Sequence, residues 1–265
     1  NVSIEPKRRA WVEVDLDALR SNFGSFAERL PPGCGILPMV KADAYGIGLG
    51  RAVRTLTPLG PWGFGVATTD EGIAVRSLGW AGPIVVFSPT LPSDTRALVE
   101  RRLEPVIPGC DLLAACGLAA RAAGASLPFH LEIDTGMGRF GLGWQDAERR
   151  AGEVAELLSF GGLRLRGTLT HFHSADTSCE QTTAQWRREM FASLIGRSEN
   201  LLPRPITNCS WSTVYQLPSN NRYSGRSSCC CGAADGGGVP GAGERAPPGG
   251  GKREPCGRGR VKRPP

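Results

Sequence analysis

Val40-Lys41-Ala42-Asp43-Ala44-Tyr45-Gly46 follows the apolar residues Ile36, Leu37 and Met39, so a buried strand runs into a turn of small residues with a lysine at the junction. A lysine leaving a buried strand loses hydration, which disfavours its charged form. The neutral amine is the form that condenses with a carbonyl group. Barrels and doubly wound sheets keep their chemistry at the C-terminal ends of their strands. Lys41 is therefore a candidate nucleophile, and the plain alternative is a surface lysine after an edge strand.

Outward from this segment, strands alternate with amphipathic helices. The N-terminal stretch 11–14 alternates like a strand, and 15–30 carries Leu16, Leu19, Phe23 and Phe26 at helical spacing. Further strands are predicted at 36–40, 63–67, 84–87, 105–107, 129–133, 166–170 and 205–208. Helices fit between them at 48–56, 70–78, 93–102, 111–123, 144–158 and 181–197. Thr69-Asp70 and Ser93-Asp94 offer N-cap oxygens for two of these helices. Seven strand–helix units predict an α/β fold, a parallel barrel of the (β/α)8 TIM type. An eighth strand should follow Asn208, where the pattern stops, so the barrel is expected to be incomplete at its C-terminal end.

Composition changes at the same place. Residues 218–265 hold 12 Gly, 7 Pro and two aliphatic residues larger than alanine, Val239 and Val261. They carry nine Lys/Arg against three Asp/Glu, whereas residues 1–217 balance at 22 against 22. The net charge of +6 thus belongs to the tail. So little apolar surface cannot offset the entropy of ordering, and the tail is predicted to be disordered. A folded body over 1–217 and a tail over 218–265 are the expected domains. The tail lacks the interleaved aromatics of a nucleic-acid binder, and Cys229-Cys230-Cys231 lacks metal-ligand spacing. Cys34, Cys110, Cys116, Cys179 and Cys209 are scattered singly, as in a reduced, cytoplasmic protein. No apolar run approaches the length of a membrane span, and the N-terminal residues lack a signal-peptide core.

The quoted segment with its following Ile47-Gly48 resembles the pyridoxal-phosphate attachment signature of bacterial alanine racemases. Three more stretches resemble the same family in the same order: Trp11-Val12-Glu13-Val14-Asp15-Leu16-Asp17-Ala18-Leu19, then Ile133-Asp134-Thr135-Gly136-Met137-Gly138-Arg139-Phe140-Gly141, then Gly167-Thr168-Leu169-Thr170-His171-Phe172. Ile47 departs from the pattern, since the family usually has histidine there.

The resemblance implies roles for particular residues. Lys41 would bear pyridoxal 5'-phosphate as a Schiff base and act as a base on one face of the substrate Cα. Tyr45 would bond the cofactor phosphate. Arg139 would contact the cofactor's phenolic oxygen and face the substrate. His171 would join the hydrogen-bond network beneath the ring. Asn208-Cys209-Ser210 lies where the family has Asn-Ser-Ala, making Ser210 a candidate phosphate ligand, although Cys209 and Trp211 interrupt the pattern. His173 could share a face with His171, but no nearby motif supplies further ligands and no metal is expected. Asp134 reads as a structural carboxylate capping the glycine-rich turn.

The implied activity is interconversion of L- and D-alanine in the cytoplasm, supplying D-alanine for cell-wall peptidoglycan. The family completes its site with a tyrosine from a C-terminal β domain of the other subunit in a homodimer. After Asn208 this sequence offers Tyr215 and Tyr223, neither in a recognisable setting. The compositional break is what truncation or a frameshift after about residue 210 would give, and activity and dimerisation of this chain are left open. The alternative function is a non-catalytic pyridoxal-phosphate-binding barrel serving cofactor homeostasis. Arg139 in its Asp-Thr-Gly-Met-Gly-Arg setting looks like the racemase.

Overall fold

The computed structural model describes residues 12–30, 33–198, 205–209 and 213–216. The predicted tail over 218–265 lies outside them, as does Trp11. Residues 12–14 form no strand. They lead instead into Asp15, whose carboxylate accepts the amides of Asp17 and Ala18 and starts α1 (Leu16–Ala27). The chain continues through β1 (Gly35–Pro38), α2 (Lys41–Tyr45), α3 (Leu49–Leu56), β2 (Phe64–Val66), α4 (Thr69–Ser77), β3 (Ile84–Val86), α5 (Thr95–Glu100), β4 (Glu104–Ile107) and α6 (Cys110–Ala122). It ends with β5 (Leu127–Asp134), β6 (Leu142–Gly143), α7 (Ala147–Ser159), β7 (Leu163–His171), α8 (Cys179–Ser198), β8 (Pro205–Cys209) and β9 (Thr213–Gln216). Among the described residues no helix is long and apolar enough to cross a membrane.

The main sheet runs β1-β9-β8-β7-β5-β4-β3-β2, and every neighbouring pair from β2 to β8 is parallel. Its two ends meet where Met39 bridges Gly65 in parallel, with the Val40 amide donating to the Gly65 carbonyl at 2.7 Å. Gly65 suits this seam because a Cβ there would sit 2.2 Å from Met39 Sδ. The sheet therefore closes into a barrel. The eighth place is taken by β9, antiparallel to both β8 and β1, where the (β/α)8 pattern calls for a parallel strand after another helix. β9 follows β8 after a short connection, and a tight return can only deliver an antiparallel neighbour.

Two apolar layers result. Strand residues such as Phe64, Ile84, Val86, Ile107, Phe129, Leu131 and Ile133 point outward and pack with helix residues including Val53, Val75, Leu98, Leu113 and Val154. Inside the barrel Leu37, Val85, Val106 and Leu169 form a smaller cluster with Trp62 and Phe87. Below it, His130 Nε2 lies 2.9 Å from Glu104 Oε2, and the Arg166 guanidinium stacks 5.0 Å from the Trp62 ring.

Helix starts differ from expectation at two caps. Thr68, not Thr69, caps α4, forming a reciprocal capping box with Glu71. Asp94 occupies the N-cap position of α5, but its side chain makes no cap bond. Ser93 Oγ instead donates to Asp94 Oδ1 at 3.1 Å within a short turn at Pro92–Asp94.

Candidate functional site

Lys41 is the first residue beyond the seam that closes the barrel, and the next four residues do something rare. Ala42, Asp43, Ala44 and Tyr45 have φ of 51°, 54°, 54° and 55°, making a turn of left-handed helix. L-residues enter this region at a cost of roughly 1–2 kcal/mol each and normally singly. The small side chains Ala42 and Ala44 reduce crowding, and Gly46 and Gly48, at φ of 85° and 100°, carry the chain out. Three fastenings hold the turn. The Ala42 amide donates to Glu71 Oε1 at 2.8 Å, the Leu49 amide to Asp43 Oδ1 at 2.6 Å, and the Gly48 amide to the Asp43 carbonyl at 2.9 Å. Ile47, at the position where the resemblance leads one to expect histidine, is half-buried and packs on the outer core.

The turn lays the Tyr45 ring beside Lys41, with Nζ 5.9 Å from the ring centroid. Tyr45 is 55 % exposed.

Arg139 comes from the loop after β5. Asp134 holds that loop by accepting the amides of Gly136 at 2.9 Å and Gly138 at 3.1 Å, the structural carboxylate role expected of it. β6 then pairs back onto β5, Ile133 with Leu142 and Asp134 with Gly143. Gly141 makes the return possible: φ is 111°, and a Cβ would lie 2.7 Å from the Asp134 amide nitrogen. Arg139 is exposed, its guanidinium 5.6 Å from the Phe140 ring.

His171 ends β7 and is half-buried. Burial first, then the charges of Arg139 and Lys41, holds its imidazole below the usual histidine range, so the neutral ring prevails at neutral pH. Lys41 follows β1, Arg139 follows β5 and His171 ends β7, and because these strands run parallel all three lie at the same end of the barrel, on one rim. Asn208 in β8 pairs with His171 through the sheet. Ser210 lies outside the described residues. His173, past the end of β7, bonds Ser174 through its ring, and among the described residues no group of His, Cys, Asp and Glu is placed to hold a metal.

Several side chains at this rim are not marked by the motif stretches alone. Glu132, two residues before Asp134, is 5 % exposed, and burial pushes its carboxyl up to about 7, with Arg139 pulling the other way and Asp134 adding to the rise. Its signal was available: parallel strands are apolar on both faces, and His130 and Glu132 interrupt one at period 2, as inward positions of a barrel strand would. Gln185, 1 % exposed on α8, donates to Thr135 Oγ1 and to the His171 carbonyl, both at 3.2 Å, and accepts the His173 amide at 3.0 Å. Thr135 Oγ1 in turn meets Thr170 Oγ1 at 2.8 Å. This network fastens the ends of β5 and β7 to α8. No pattern in the sequence could pair positions 135, 170 and 185.

The rim thus offers a primary amine, a phenol, a permanent guanidinium and a neutral imidazole. Such a donor set suits an anionic aldehyde that carries a phosphate. The description "Alanine racemase, N-terminal domain" matches residues 14–224. This chain belongs to that family. Alanine racemases of Syntrophobacter fumaroxidans and Geobacter sulfurreducens are 35% and 36% identical to it over 197 and 203 residues, covering 73% and 75% of this chain. Among solved structures, alanine racemase of Clostridium difficile 630 superposes with a TM-score of 0.71 at 27% identity, over 78% of this chain and 53% of that one. Alanine racemase of Streptomyces coelicolor A3(2) gives 0.68 at 31% identity, over 74% and 52%. The chain spans about half the length of the curated alanine racemases it matches, 52% for each of the two named here.

Proposed function

We propose that this chain is the cofactor-binding barrel of a pyridoxal-phosphate-dependent alanine racemase that interconverts L- and D-alanine. The observation that carries the reading is that Lys41, Arg139 and His171 follow the C-terminal ends of parallel strands and so share one rim. Lys41 would hold the cofactor through its amine, Tyr45 would bond its phosphate, and Arg139 would face its phenolic oxygen and the substrate carboxylate. Ser210 is proposed as a further phosphate ligand. Pyridoxal phosphate, when bound, supplies an electron sink that makes the Cα proton of an amino acid acidic.

The protein's own groups do the rest. The Lys41 amine takes the Cα proton on one face of the substrate. Arg139 keeps its charge in any surroundings and so favours an anionic oxygen beside it throughout. His171, held neutral, orients by hydrogen bonding without adding a third positive charge. We further propose a cytoplasmic setting, which suits the unbridged cysteines Cys34, Cys110 and Cys116, production of D-alanine for peptidoglycan, and a homodimer in the full-length protein.

The test is direct. Incubation with pyridoxal phosphate followed by borohydride reduction should leave a pyridoxyl group on Lys41, detected by peptide mass spectrometry. Lys41→Arg should abolish it while conserving charge, because a guanidinium does not condense with the aldehyde. Lys7 is the other lysine before residue 218, and labelling there with Lys41 unlabelled would overturn the assignment.

A further inference from the structure

We infer that Glu71 is the positioning residue for Lys41, clamping the left-handed turn that presents the amine to the rim. The inference rests on the proposed role of Lys41 and adds a residue to it. Glu71 sits at the third position of α4 and spends its two carboxylate oxygens in different directions. Oε1 accepts the amide of Ala42, the residue after Lys41 and the first to enter the left-handed region, at 2.8 Å. Oε2 accepts the amides of Ala67 at 2.7 Å and Thr68 at 3.3 Å, where the chain leaves β2. One side chain thus ties the turn after β1 to the end of β2, next to the seam where Met39 meets Gly65.

The physical need is plain. Ala42, Asp43, Ala44 and Tyr45 would each relax to φ < 0 if released, and that rotation would carry the lysine amine off the rim. The Asp43 bonds to Leu49 and Gly48 hold the far side of the turn. Glu71 holds the side nearest Lys41. A carboxylate can accept on both oxygens, whereas a glutamine amide can accept on one and opposes an N–H donor with its own NH₂. Glu71→Gln therefore keeps shape and size and breaks the clamp.

The experiment uses the full 265-residue chain, pyridoxal phosphate, timed borohydride quenching and mass spectrometry of the Lys41 peptide, with a thermal melt of each variant. Glu71→Gln should slow labelling of Lys41 by about 10- to 100-fold, the scale of a misplaced reacting group, at a temperature well below its Tm. Thr68→Ala removes the other half of the capping box, the Glu71 amide to Thr68 Oγ1 bond, and should lower Tm while Lys41 labels at the wild-type rate. Adding Ala42→Gly to Glu71→Gln should recover most of the lost rate, since glycine takes positive φ freely, yet leave Tm low. If Glu71→Gln labels as fast as wild type, or Thr68→Ala loses labelling in step with its Tm just as Glu71→Gln does, or Ala42→Gly restores nothing, Glu71 is only a helix cap and the inference fails. Absence of Lys41 labelling in the wild-type chain would overturn the proposed function itself, and the clamp with it.

Discussion

Glu132 is a carboxylic acid placed where a barrel strand would ordinarily carry an apolar side chain, and its environment resists ionisation more than Arg139 assists it. With a pKa raised from 4.5 to about 7 in the fold, the group is protonated in both folded and unfolded chains at pH 4. As pH rises the unfolded chain releases its proton first, so stability falls through the window between 4.5 and 7 and then levels. The loss should be on the order of 3 kcal/mol. Glu132→Gln keeps the shape without the titration. Urea melts should find the variant more stable than wild type at pH 8 and similar at pH 4, and an equal gap at both pH values would contradict the burial argument. The Lys41 and Glu132 predictions separate two kinds of site residue: Lys41 stands in a motif that can be read by eye, whereas Glu132 gains its meaning from what surrounds it.

At the scale of elements, the connections between strands are held by side chains that reach back to the backbone. Arg76 near the end of α4 donates to the carbonyls of Trp80 at 2.6 Å, Gly82 at 2.9 Å, Arg101 at 3.1 Å and Arg102 at 2.7 Å. It joins the loop entering β3 to the turn between α5 and β4, where Arg102 itself has φ of 52°. Arg76→Ala should destabilise the fold by about 2–3 kcal/mol, because the part-buried carbonyls of Trp80 and Gly82 lose a charged donor and the exposed ones of Arg101 and Arg102 fall back on water. Arg76→Lys should recover only part, since one ammonium cannot span four carbonyls; a chemical denaturation series on the three proteins checks both. The periodicity of residues 70–78 announces the helix, and Thr68, Glu71 and Arg76 stand in plain view beside it. That Thr68 rather than Thr69 caps it depends on where β2 releases the chain. The left-handed turn is likewise hidden, since Ala-Asp-Ala has no preference for positive φ and only the fastenings from α4 and α3 hold it there.

For the whole molecule, the proposed function turns on which faces of a substrate the barrel can serve. Racemisation needs proton transfer on both faces of Cα, and general acid–base groups each contribute on the order of 10²–10⁴-fold. Lys41, Arg139 and His171 share one rim, on which the proposed function places a single base, Lys41. The expected outcome for the 265-residue chain with added cofactor is exchange of the L-alanine Cα proton for deuterium in D₂O with chirality retained. Proton NMR and chiral chromatography on the same sample would check it, and racemisation keeping pace with exchange would show that two opposed bases are already present.

The barrel itself was legible because alternating strands and amphipathic helices leave few ways to bury both faces of a parallel sheet, and the segment 40–46 stood out because its residues are contiguous. The seam at Met39 and Gly65 and the antiparallel β9 in the eighth place were not legible. Closure joins residues far apart in the chain, and the strand that fills the gap has no helix before it to announce it. The convergence of Lys41, Arg139 and His171 is of the same kind. Each ends or follows its own strand for local reasons, but the distance between those strand ends is set only when the sheet curls on itself and brings the rim together.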